Sequence, residues 1–235
     1  MDIFNQLKSG RFHGLADVQA IIDEACSSLA VPTTHPRHHE FFYEIVPIHT
    51  VAACLSSPKV AYFPRSHPID GEIELSNSNT MQIECTRAVD GYQESLRMKH
   101  MAKHGYAVAL QPVRATGTEN KRDIEEQPWE FRERTLVLSE LEAKLHEAFN
   151  RKNLKTESAT AIALLITFDD VSLLPKDSDK YRFLDPIEMF WQRAKNECRF
   201  SRVFVTGDSR KIVWDSYRPR KLSQRSSERE TAFIC

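Results

Sequence analysis

The stretch Ala161-Ile162-Ala163-Leu164-Leu165-Ile166-Thr167-Phe168 is apolar at both alternating sets of positions. A strand with no wet face belongs inside a sheet covered on both sides, which predicts a central, parallel strand. Other segments alternate. Ile73 and Leu75 interleave with Glu72 and Glu74, and Ile83 and Cys85 with Gln82, Glu84 and Thr86, so each predicts a strand with one buried and one polar face. Short strands are also expected at Lys59 to Phe63, Arg202 to Thr206 and Lys211 to Trp214.

Helical spacing appears between these strands. Val18, Ile21, Ile22 and Ala25 repeat at i, i+3, i+4 and i+7, with Asp17 as the expected N-cap. A second helix runs from about Arg37 through Phe41, Phe42 and Ile45 towards Leu55, and Pro47 should kink or divide it. Gly91 to His104 reads as a charged helix stopped at Gly105. Residues 111 to 128, with Pro112, Gly117 and Pro128, read as a loop. A long helix follows from about Trp129 to Arg151, its stripe made of Leu136, Leu138, Leu141, Leu145 and Phe149. Asp185-Pro186 opens a last helix through Trp191 and Cys198. Mixed strands with helices on both sides predict an α/β three-layer sandwich with a mixed central sheet. The expected organisation is a single domain over residues 1–217, with an N-terminal helical part at 1–57 and a core at 58–217. Residues 218–235 are charged and read as a disordered tail.

Composition adds limits. The chain has 235 residues, 41% of them apolar and 28% charged, which suits a globular fold. A formal net charge of -1 gives no global basic field to announce nucleic acid. Five cysteines without a C-x-x-C spacing predict reduced thiols in a cytoplasmic protein. No apolar run approaches the length of a membrane span, and no secretory-type leader is read at the N-terminus. There is no Walker-type loop, no Gly-x-Gly-x-x-Gly and no Gly-x-Ser-x-Gly, which argues against nucleotide-cofactor enzymes and serine hydrolases.

The chemistry concentrates between residues 68 and 104. Asp70 lies near the start of one predicted strand and Glu84 inside the next. Two carboxylates converging from neighbouring strands suit Mg²⁺ or Mn²⁺, which take hard oxygen ligands, and such an ion activates water. Glu84 on an otherwise apolar strand needs a partner to offset its desolvation. Glu72, on the same face as Asp70, competes for its role. The plainer readings are a solvated edge carboxylate for Glu84 and an ordinary wet helix face for Arg97 and Lys99. His35, His38 and His39 lack a zinc spacing and read as surface residues, as do His100 and His104 at the end of their helix. Asp169-Asp170 reads as a turn after the apolar strand.

The element order, with Pro68-Ile69-Asp70 and Glu84-Cys85-Thr86, resembles the PD-(D/E)xK nuclease superfamily over roughly residues 38 to 215. Ile83 to Gly91 is similar to the third core strand and following helix of bacterial members. The resemblance implies a restriction-endonuclease-like core and metal-dependent hydrolysis of nucleic-acid phosphodiesters. It implies Asp70 and Glu84 as ligands of Mg²⁺ or Mn²⁺, and Thr86 in the place of the family's lysine. The missing cation would come from Arg97, Lys99 or Lys103 on the following helix, and Glu40 or Glu44 would be the helix glutamate that many members carry. The proline and first acid are separated by Ile69, and the lysine is replaced, so a catalytically inactive binding or regulatory protein is the alternative. Nucleic acid is the implied partner, no membrane is involved, and a homodimer would suit a double cut.

Overall fold

The computed structural model describes residues 7–27, 40–89, 91–104, 113–116, 123–126, 133–154, 161–170 and 182–217. The expected tail, the histidines at 35, 38 and 39, and Gly105 lie outside them.

The architecture is mixed α/β around a seven-stranded sheet. Its strands are β1 (Phe12–Gly14), β2 (Lys59–Tyr62), β3 (Gly71–Glu74), β4 (Thr80–Arg87), β7 (Ile162–Phe168), β8 (Arg202–Gly207) and β9 (Val213–Asp215), which lie side by side in that order. The apolar run supplies β7, which is parallel to β4 on one side and to β8 on the other. The remaining pairings, β1 to β4 in succession and β8 with β9, are antiparallel. A separate two-stranded sheet pairs β5 (Val113–Thr116) with β6 (Asp123–Glu126). The loop expected over 111 to 128 therefore contains a hairpin. Four-residue strands of mixed polarity are too short to carry a period that sequence alone reveals.

Alternation along β7 divides the core. Ala163 and Leu165 join one apolar cluster with Ile73, Ile83 and Cys85 of β3 and β4. That cluster is closed by Val18 and Ile22 of α1 (Leu15–Ser27) and by Ile48, Val51 and Ala52 of α2 (Val46–Cys54). Leu164, Ile166 and Phe168 enter a second cluster with α4 (Arg134–Asn153) and α5 (Leu184–Ala194). Both faces of the sheet are thus covered, as a strand with no polar side requires. Between β4 and β5 runs α3 (Gly91–His104).

Three local departures have physical reasons. Pro47 does divide its helix: a π-helical turn, Phe41–Ile45, precedes α2. Proline has no N–H to donate to the carbonyl four residues back and clashes with it, and the wider turn accommodates both. On α4 the buried stripe starts at Val137, not Leu136, which is 49% exposed. Five residues of helix turn through about 500°, which sets Leu136 about 140° away from Leu141. Asp17 lies in the first turn of α1, not at its cap, where its charge still complements the helix dipole.

The cysteine expectation is corrected as well. Cys54 is disulfide-bonded, whereas Cys85 and Cys198 are free. Sequence spacing does not reveal which sulfurs a fold brings together. The cystine removes the cysteine argument for a cytoplasmic protein. Among the described residues no helix is long and apolar enough to cross a membrane.

Candidate functional site

The site is built where β3 parts from β4. Register pairs Gly71 with Ile83, which sets Asp70, one residue earlier, across from Glu84, one residue later. The Asp70 N–H still donates to the Ile83 carbonyl at 2.9 Å. Beyond that point the ladder opens, and the Asp70 carboxylate itself accepts the Cys85 N–H at 2.7 Å. One Asp70 oxygen therefore takes the place of a strand carbonyl. Glu72, the expected competitor, accepts from the Gln82 amide at 3.1 Å and is tied further down the hairpin.

Glu84 and Thr86 share the polar side of β4, as their spacing requires. Both meet the end of α4. Lys152 donates to the Glu84 carboxylate at 2.6 Å, and the pair is partly buried. Arg151 donates to the Arg87 carbonyl at 3.0 Å and approaches the Thr86 hydroxyl at 3.4 Å. The cation beside Glu84 thus comes from the helix that packs over β4, not from α3. On α3 the Lys99 and Lys103 side chains are exposed, and the Arg97 side chain lies outside the described residues. No spacing rule links position 152 to position 84, so only folding brings Lys152 to the acid.

A second group approaches from the opposite face. Glu40 and Glu44, one turn apart at the π-helical segment, both bind the Lys8 ammonium, at 3.3 and 2.5 Å. Lys8 is held in place by Leu7, which is buried. Burial pushes the Glu44 carboxyl above its usual range; Lys8 opposes this and the nearby charges of Asp70 and Glu40 add to it. Between the two groups sits the Cys85 thiol. Its pKa is raised well above the usual thiol value, first by burial and then by Asp70 and Glu44, while Lys152 and Lys8 pull it down. Cys85 is therefore within electrostatic reach of both acids and both lysines, and as a buried thiol it is not a nucleophile.

This set is carboxylate and ammonium, and its carboxylates are the donor chemistry that Mg²⁺ and Mn²⁺ accept. Mg²⁺ keeps several waters and needs only one or two carboxylates, so Asp70 with a neighbouring acid fits it. Among the described residues no group of three or more His, Cys, Asp or Glu is placed to hold a metal ion.

A third cluster closes the carboxyl ends of the parallel strands. Arg87 pairs with Asp208 at 2.8 Å and lies 3.8 Å over the Tyr43 ring. Burial pushes Asp208 up to about 6; Arg87 pulls the other way, and Asp169 and Asp170 add to the rise. Asp170 is buried and accepts both the N–H and the hydroxyl of Ser209, so it fastens the turn between β8 and β9. That is a turn role, as expected, and Gly207 makes room for it: a Cβ there would lie 2.5 Å from the Asp170 carboxyl carbon. His100, expected in solvent, is buried, with its ring nitrogen 3.2 Å from the Ile124 carbonyl of β6. The hairpin that sequence did not reveal is what covers it.

No family model, no curated protein and no solved structure matches the chain.

Proposed function

We propose that the protein is a metal-dependent nucleic-acid phosphodiester hydrolase with a restriction-endonuclease-like core. One observation carries the reading: at the strand end next to the Gly71–Ile83 pair, the Asp70 carboxylate is fixed on the Cys85 N–H, and the preceding Glu84 carries a lysine, Lys152, bonded to its carboxylate. Asp70 and Glu84 are the proposed ligands of Mg²⁺ or Mn²⁺, and the bound ion supplies a polarised water and neutralises phosphate charge. Asp70 is held in a fixed direction by the Cys85 N–H. Lys152 replaces the lysine that Thr86 cannot supply, holding positive charge beside the second acid. Glu44 stands in for the helix glutamate, with Glu40 one turn before it. The partner is nucleic acid, and a homodimer would place two such sites on opposite strands.

A catalytically inactive binding or regulatory protein is the second reading. It is favoured by the internal pairing of Glu84 with Lys152 and of Glu44 with Lys8, which already satisfies two of the acids. Cleavage of plasmid DNA and of single-stranded RNA, with and without Mn²⁺, separates the two. The nuclease reading expects metal-dependent cleavage that falls about 100-fold or more in Asp70→Asn and in Glu84→Gln. The amide oxygen of an asparagine in place of Asp70 can still accept the Cys85 N–H, so the loss would not be one of folding. Retained nucleic-acid binding without any cleavage would establish the second reading.

A further inference from the structure

We infer that Lys8 occupies the position a second divalent ion would take, and so limits the metal site to a single ion. This rests on the metal-site reading above. Glu40 and Glu44 direct their carboxylates at one ammonium, and the Lys8 side chain is only 9% exposed. An ammonium offers three donors to the oxygens that a hard cation would otherwise coordinate. It is fixed there, because the preceding Leu7 is anchored in the core beside α1 and α2.

Charge gives the same count. Asp70 and Glu44 act on the free Cys85 thiol against Lys152 and Lys8, with Glu40 beside Glu44 and Glu84 bonded to Lys152 on the other side of β4. Four negative and two positive groups leave a charge of minus two, which one divalent ion neutralises. Removing Lys8 makes the deficit minus three and leaves Glu40 and Glu44, the latter within electrostatic reach of Asp70, without the Lys8 ammonium. Leaving partly buried carboxylates unpaired is costly, and a second ion relieves it. An independent feature lies beside these groups: the Tyr62 hydroxyl is buried against Cys85 with no hydrogen-bond partner, an unused donor or acceptor.

The test is Mn²⁺ binding to the full chain at about pH 8, where carboxylates of ordinary pKa are ionised, read by calorimetry and by electron paramagnetic resonance. The wild type should bind one ion, Lys8→Met two of affinities within about tenfold of each other, and Lys8→Met/Glu44→Gln one again. One ion in both the wild type and Lys8→Met overturns the inference and leaves the metal-site reading standing. No ion in the wild type overturns both, and two ions in the wild type overturns the inference alone. Should Lys8→Met not fold, lysine-labelled wild-type protein gives the answer by NMR. At saturating Mg²⁺ the Lys8 ammonium should stay protected from solvent, and its release to solvent would overturn the inference.

Discussion

At the scale of single residues, two acids near β4 differ in what offsets their burial. Asp70 accepts a backbone N–H, that of Cys85. Asp208 has the Arg87 guanidinium at 2.8 Å, yet burial outweighs it and lifts the carboxyl to about 6. The sign of the consequence follows from linkage. A carboxyl whose folded pKa lies above its unfolded value binds more protons when folded, between about pH 4 and pH 6. Its contribution to stability therefore grows as pH falls through 6 and shrinks again as pH rises. Urea unfolding of the wild type and of Asp208→Asn isolates this group. From pH 7 to pH 5 the difference between them should move by about 1 kcal/mol in favour of the wild type. A difference that stays constant over that range would mean Asp208 titrates normally.

At the scale of elements, the β2–β3–β4 meander is what brings Asp70 to Glu84, and its geometry depends on one position without a side chain. At Gly71 a Cβ would lie 2.7 Å from the Ala61 carbonyl oxygen and 3.0 Å from the Ile48 side chain. The first contact is backbone and cannot rotate away. Gly71→Ala should cost about 2 kcal/mol, measured by chemical denaturation, and should loosen the Asp70–Cys85 contact next to it. An unchanged midpoint would show that β3 can shift without harm. The strands of this meander, and β7, were legible because their alternation or their continuous apolarity has only one sheet placement. Glu84 was legible because an acid on such a strand needs a partner, whereas Asp70, just ahead of β3, was marked by its place in the Pro68-Ile69-Asp70 pattern at the sheet edge. Lys8 and Lys152 were not. Each lies at the end of a long path through the fold, on a turn and on the last turn of α4, where a lysine is ordinarily solvated. The β5–β6 hairpin and the Cys54 cystine were hidden likewise, because pairing over distance leaves no local period.

At the scale of the whole molecule, the helices before residue 58 are part of the sheet's own core. Strand β1 extends the sheet beside β2, and three residues are too few for its pattern to announce it. Val18, Ile22, Ile45, Ile48, Val51 and Ala52 are fully buried against Val60, Ile73, Ile83, Ala163, Leu165 and Phe204. Each of the larger side chains contributes roughly 1.5–3 kcal/mol by leaving water. Together they supply on the order of 10 kcal/mol, comparable to the whole net stability of an ordinary domain. A fragment of residues 58–217 would bare one entire face of the sheet while keeping Asp70, Glu84 and Lys152. It would also lose Lys8, Glu40 and Glu44. The fragment should show no cooperative thermal transition by circular dichroism and no dispersed amide spectrum by NMR. A cooperative melt close to that of the full chain would mean that the N-terminal segment is an addition to a self-sufficient core, and that the ion-limiting group around Lys8 is separable from the acids it serves.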